Sequence, residues 1–381
     1  MSIKLSNSGM VKHSGCARSY KYHYIDKLRS KFKGSALFFG SAIDSGCNFM
    51  LEHFDARKEP DFLKTAIDIF YATWSLPTDQ DSGVFINLKL SPNIKYFKAD
   101  FDPDILTPED WNDLGLNSGE AVVDYLAFRK EIETSLKTIE WGDIPEEARI
   151  RYNHATWLSL NRKGPMMLTA YFNEILPKFK RILTLQRKVE LEDANGNLVN
   201  GIVEFVAELQ DGKICLVDNK TSGADYAEDS VRTSQQLALY YQILNIQAST
   251  PNAEWQQRID VAAYAVMGKK IARNKVCTIC KNVATGSHKS CNAVSGSGTR
   301  CNGEWDVTFY ATTQFVLDEI SDDYGSSVLE NASTIIACIE KGIFPKNFDK
   351  CYNDFGGTCP FLKMCHKKDD SDLIKIQQKE K

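Results

Sequence analysis

Between residues 201 and 222, GIVEFVAELQDGKICLVDNKTS, apolar and polar positions alternate with the period of a half-buried strand. Val203, Phe205, Ala207 and Leu209 interleave with Glu204 and Glu208, and residues 213–218 form a second short run. Gln210-Asp211-Gly212 between them suits a three-residue hairpin loop with glycine in the left-handed region. That hairpin pairs Leu209 with Lys213 and sets Glu204 opposite Asp218, while Lys220, two residues on, returns to the same face. Upstream the period is helical. Tyr20, Tyr24 and Leu28 share one stripe. Ile43, Cys47, Met50, Leu51 and Phe54 share another, with Gly40 placed for close approach to a second backbone and Asp44 one step off the stripe. Phe62, Leu63, Ala66, Ile67, Phe70, Tyr71 and Trp74 mark an amphipathic helix, Val122, Tyr125, Leu126, Ile132 and Leu136 a second, and residues 145–160 a third, with a loop-rich stretch over 77–113.

Strand character resumes near Ile182, and a turn at 194–197 leads into the central hairpin. Residues 233–246 read as a helix with Gln236 and Tyr240 on one face, and 258–267 and 304–312 as strands. Phe315, Ile320, Tyr324, Val328, Ile335 and Ile339 read as inner positions of a long helix stopped by Gly342 and Pro345. Cys47 and Cys338 fall on apolar stripes as core thiols. The predicted class is α/β. Residues 1–54 and 181–276 form two parts of one core, 55–180 a helical insertion, 277–303 a small cysteine-bearing insertion, 304–365 a closing segment and 366–381 a polar tail.

At 381 residues and 43% hydrophobic content, the chain can bury a substantial core. Its formal charge of −4 excludes a uniformly basic nucleic-acid binder, so phosphate contacts must come from local patches. One such patch is 12–33, where Lys12, Arg18, Lys21, Lys27, Arg29, Lys31 and Lys33 face a single acid, Asp26, among Tyr20, Tyr22 and Tyr24; a solvated helix face is the alternative. The opening MSIKLSNSGM has no apolar core and no run approaches the length of a membrane span, so a cytoplasmic protein without membrane contact is expected. Eleven cysteines in that compartment point to metals or clusters rather than disulfides.

Carboxylates facing each other across a hairpin need a cation between them or solvent around them, and magnesium or manganese is the fitting ion. Cys277, Cys280, Cys291 and Cys301 lie in a Gly-, Ser- and Asn-rich stretch with too few apolar residues to fold alone. A C-x-x-C knuckle with two further cysteines suits tetrahedral zinc, with His288 as an alternative ligand. Cys351, Cys359 and Cys365 supply three ligands for zinc or an iron-sulfur cluster, and the fourth is Cys16 or His366.

Taken in order, the chain carries Ser6, Ser8, Cys16, Arg18 and Tyr20; Phe39, Gly40 and Asp44; Gly201 and Glu204; Asp218 and Lys220; Gln236 and Tyr240; and three cysteines after IEKGIFPKNFDK. This series resembles the RecB-type branch of the PD-(D/E)XK nuclease superfamily, and within it the iron-sulfur members: CRISPR-associated exonucleases, AddB-type nuclease domains and phage relatives. The likeness covers both ends and the middle of the chain, but neither 55–180 nor 277–303. Asp44 stands where the family has histidine and Glu204 where it has aspartate; both remain oxygen donors. The resemblance implies a restriction-endonuclease-like core, a mixed central sheet flanked by helices, with a large helical insertion and a small zinc-binding one. It implies Mg2+ or Mn2+ on Asp44, Glu204 and Asp218, with Lys220, Gln236 and Tyr240 completing the catalytic set. It further implies a [4Fe-4S] cluster on Cys16, Cys351, Cys359 and Cys365, and DNA contacts from Arg18, Tyr20 and Lys21. The implied activity is exonucleolytic hydrolysis of single-stranded DNA or DNA ends in recombination, repair or phage DNA metabolism, with a helicase or recombination protein as partner. A nuclease-fold module that grips DNA ends without cutting is the alternative.

Overall fold

A mixed seven-stranded sheet runs through the computed structural model, which describes residues 2–30, 32–74, 78–79, 84–87, 105–114, 146–284, 291, 293–294, 299–352 and 358–376. Its strands are β1 (Lys4–Ser6), β2 (Phe179–Glu192), β3 (Leu198–Leu209), β4 (Ile214–Ser222), β5 (Val261–Cys277), β6 (Val283–Ala284) and β7 (Trp305–Asp318). Antiparallel pairs β2–β3, β3–β4, β5–β6 and β5–β7 combine with parallel pairs β1–β3 and β4–β5. The helices used below are α1 (Asn7–Gly15), α2 (Ala17–Tyr20), α3 (Ser35–Glu52), α4 (Phe62–Trp74), α5 (Glu146–Ala170), α6 (Gln235–Ala248), α7 (Asp322–Glu340) and α8 (Leu362–Lys367).

Consecutive residues of β4 and β5 are buried on opposite faces, so two cores form. On one face Phe39, Cys47, Phe70, Trp74 and Leu168 of α3, α4 and α5 pack on Phe205, Cys215, Val217 and Ala263. On the other, Leu237, Leu244 and Ile335 of α6 and α7 pack on Val206, Leu216 and Val266. The described helices within 55–180 are therefore core-building. The close backbone approach expected at Gly40 occurs instead at Gly46, where an added Cβ would meet the Ala66 carbonyl at 3.0 Å and Leu168 at 2.9 Å; at Gly40 it would make only an ordinary contact with Thr221.

Several expected boundaries move. Leu28 leaves the helical stripe because Lys27, at φ 58°, turns the chain into the short strand Leu28–Ser30, paired with Leu373–Lys375. Phe315 belongs to β7, which follows the long β5 to Asp318, and helix α7 starts only where Ser321 accepts the Tyr324 amide. Ladder bonds to a long neighbour thus override the helical spacing of 315–320. Cys338 is half-buried rather than core. The helix expected over 122–136 and most of 77–113 lie outside the described residues. Among the described residues, no helix is long and apolar enough to cross a membrane.

Candidate active site and cysteine centres

Strand β3 changes partners along one edge. Residues 198–200 pair with β1 and 205–208 with β4, which leaves 201–204 facing no strand there. The hairpin has the expected register: the Leu209 amide bonds the Lys213 carbonyl and Gly212 sits at φ 89°. Its ladder nevertheless ends at Phe205–Val217, one pair short of Glu204–Asp218, because β4 continues alongside β5 to Ser222. Beyond that fork the Asn219 amide donates to Glu204 Oε2.

Helix α6 bridges the gap. An added Cβ at Gly201 would overlap the Tyr240 ring, so glycine here is what lets the ring lie on the backbone. Gln236 Nε2 donates to Asp218 Oδ1 at 3.0 Å, one turn before the Tyr240 ring that lies on Gly201. The i,i+4 pair on α6 thus ties both prongs of the fork together. From the opposite side α3 brings Asp44 to an open cleft, lined also by Asn48, Gln186, Glu204, Asn219 and Gln236. Gln186 occupies the left-handed region at φ 46°, between the pairs Leu185–Phe205 and Arg187–Val203. Across from it β3 switches faces: Val203 joins the α6 core while Phe205, Ala207 and Leu209 join the α3 core, so the single apolar face expected for these four residues breaks at Glu204. A non-glycine residue in this conformation costs on the order of 1–3 kcal/mol, and such strain concentrates at functional clefts.

Three carboxyls share one ammonium. Asp218, 2% exposed, is pushed up by burial against the charge of Lys220, with which it is ion-paired, and the Gln236 bond. Burial raises Asp44 to about 6; Lys220 opposes this and Asp218 reinforces it. Burial, then Asp218 and Asp44, push Glu204 up to about 9. Burial works against the Lys220 charge, but Asp218 and Glu204 more than offset it and hold the ammonium above its ordinary value. Negative charge in excess of the single cation is what a hard divalent ion would neutralise, and carboxylate oxygens beside an open cleft are its preferred donors.

The chain ends meet in a clasp. The Arg18 amide bonds the Pro345 carbonyl at 3.0 Å, the Asn347 amide points at Cys16 Sγ at 3.5 Å, and Asn347 Nδ2 bonds the Gly15 carbonyl. Cys16, Cys351, Cys359 and Cys365 line one cavity there, beside Phe361. His366 Nε2 lies 3.9 Å from Cys351 Sγ. The N-terminal patch, expected to contact DNA, lies beside this clasp. Tyr20 is 3% exposed and stacks on Phe344, Arg18 Nε bonds the Phe344 carbonyl, and Lys21 pairs with Asp26 at 2.8 Å. Arg18 and Tyr20 are thus tied into the clasp, whereas Lys21 pairs within its own segment and stays partly exposed.

At the far end of β5, the ligand atoms of Cys277, Cys280, Cys291 and Cys301 all lie within 4.8 Å of one another and could bind a metal ion. The 277–301 and 280–291 sulfur pairs are 3.5 Å apart, near the roughly 3.8 Å edge that zinc–sulfur bonds of about 2.3 Å give a tetrahedron. Against burial, the Cys280 and Ile279 amides draw the Cys277 thiol down to about 6. Gly303 is required: a Cβ there would approach Cys277 Sγ to 2.5 Å. His288 lies outside the described residues. Among the described residues neither the clasp cysteines nor Asp44, Glu204 and Asp218 draw together to single-ion spacing as these four do.

Sequence reasoning missed three residues at the site. Asn219, between Asp218 and Lys220, could have been suspected from its position; Gln186 and the fully buried Tyr171, whose phenol is raised by burial and by nearby Cys47 and Glu204, carry no periodic signal. No model of a known protein family and no curated protein matches this chain.

Proposed function

We propose that this chain is a divalent-metal-dependent DNA nuclease of the RecB-type PD-(D/E)XK kind, acting as an exonuclease on single strands or DNA ends. The observation that carries the reading is the grouping of three carboxyls with one ammonium at the fork: Asp44 and Glu204 line the cleft, and Asp218 behind them is ion-paired with Lys220. Asp44, Glu204 and Asp218 would hold Mg2+ or Mn2+, which when bound supplies Lewis-acid polarisation of the phosphate and a more acidic water. Lys220 orients the attacking water or stabilises charge developing on the phosphate, and Gln236 keeps Asp218 in place through its 3.0 Å bond. The clasp supports a [4Fe-4S] cluster in a structural role, since four cysteines line one cavity at wider spacing than a single ion takes. The knuckle supports structural zinc.

Digestion of end-labelled single-stranded DNA tests the reading. Wild-type protein should shorten the strand with Mg2+ or Mn2+ and not with EDTA, and Asp218→Ala should lose at least 100-fold in rate. Equal cutting by the variant, or none by wild type, refutes it. One observation favours a second reading, a nuclease-fold module that grips DNA without cutting: Glu204, raised to about 9 and bonded by Asn219, is neutral at physiological pH unless a cation ionises it.

A further inference from the structure

We propose that the β5–β7 arm and its cysteine knuckle form a second nucleic-acid contact, a phosphate track along which a single strand leaves the carboxylate site. The proposal rests on the nuclease reading for the identity of the strand. The geometry starts at the site itself. Lys220 of β4 pairs in register with Val266 of β5, and Ser222 with Gly268. From Val266 the same strand runs without interruption to Cys277, roughly 35 Å at about 3.3 Å per residue. The arm therefore carries the sheet directly from the catalytic lysine to the knuckle.

Its charge is opposite to that of the rest of the molecule. Residues 267–312 hold Lys269, Lys270, Arg273, Lys275, Lys281, Lys289 and Arg300 against Glu304 and Asp306, in a chain of net charge −4. Four thiolates around one zinc would remove only two of those positive charges. The cations are also spaced along the path. Lys270 lines a small pocket with Ser222, Asp225, Gly268, Thr312 and Thr313, where the β5–β7 register shifts between Ala311 and Thr313. Bulges at such shifts re-aim strands beside active sites. Gly268 leaves room for the shift, since a Cβ there would come 2.5 Å from Thr312 Oγ1. Lys281 and Arg300 sit on the knuckle. Lys270, Lys281 and Arg300 are all exposed and, among the described residues, none has an ion-pair partner. Tyr310, 40% exposed on β7, offers a ring on which a base can stack. Lys270, four residues beyond the position paired with Lys220, brings exposed positive charge next to the fork.

The test uses full-length, zinc-loaded protein with the Asp218→Ala change, so that binding is read without cutting. Fluorescently labelled single-stranded DNA is titrated at several salt concentrations. Lys270→Glu/Lys281→Glu/Arg300→Glu should weaken binding at low salt tenfold or more and flatten the slope of log affinity against log salt by about 2, at about 0.7 per lost phosphate contact. The glutamine triple should show part of the same loss. Reversing three exposed lysines elsewhere, Lys58, Lys64 and Lys213, imposes the same change in net charge and should have little effect. Thermal melting confirms that each variant is folded. If both triples bind alike, or the parent protein does not bind the strand at low salt, the arm is not the track. Cutting is scored separately with Asp218 intact. A protein that never cuts yet binds through the arm defeats the nuclease reading alone; one that cuts and binds independently of the arm charges defeats this proposal alone.

Discussion

Glu204 and Asp218 show how a carboxylate's neighbours decide its state. Both are acids whose folded pKa lies above the unfolded value near 4, so the folded chain holds more protons than the unfolded one. Stability in the absence of metal should therefore fall as pH rises from about 4, through Asp44 near 6, to Glu204 near 9. A divalent ion favours the ionised carboxylates, so the stabilisation by Mn2+ should grow across the same window. Melting temperatures at about pH 5.5 and 8.5, with and without Mn2+, check this. Glu204→Gln should flatten the metal-free decline, and a manganese shift independent of pH would contradict the assignment. Gly201 gives a purely steric expectation: Gly201→Ala should cost on the order of 1–3 kcal/mol by forcing the Tyr240 ring aside, and in a Tyr240→Ala background the same methyl should cost little. At this scale residue types were legible and exposure was not. Lys220 and Asp218 stood out by spacing, whereas Tyr20 and Tyr22 have the same side chain and only packing against Phe344 makes Tyr20 part of the interior.

Among the elements, the hairpin was readable because a short loop fixes its own register, as Leu209–Lys213 and Gly212 demonstrate. The fork was not, because β4 departs from β3 in order to follow β5, whose pairing residues lie more than forty positions downstream. The same non-local pull keeps Phe315 in β7 rather than at the start of the long helix in which the sequence reading places it. Conversely, Cys277, Cys280, Cys291 and Cys301 were legible as a set because a stretch this poor in apolar residues needs ligands to order it. Cys280→Ser should thus abolish the proposed zinc binding, increase hydrogen exchange over 277–303 and leave protection in β3 and β4 unchanged. Equal loss of protection in the central hairpin would show the knuckle to be part of the main cooperative unit instead.

For the whole molecule, the organising contact is the clasp between residues 15–18 and 344–347. Purified protein should contain iron and sulfide with broad visible absorbance, and Cys16→Ser should abolish both while zinc at the knuckle persists; colourless protein carrying only zinc would refute the cluster. Three cysteines near one end were visible in the sequence, but that Cys16 joins them depends on α2 docking against Phe344 and Pro345, which no local pattern encodes. The clasp also has a kinetic side. Cys16 and Asn347 are 331 positions apart, so at roughly 5–20 residues per second a ribosome needs on the order of 15–65 s between making one and the other. During that interval Cys16 has emerged without its partners, and its thiol is open to oxidation or to adventitious metal. If the clasp holds the proposed cluster, its insertion is among the last steps of maturation, and yields of intact protein should respond to iron supply and oxygen late in synthesis rather than at its start.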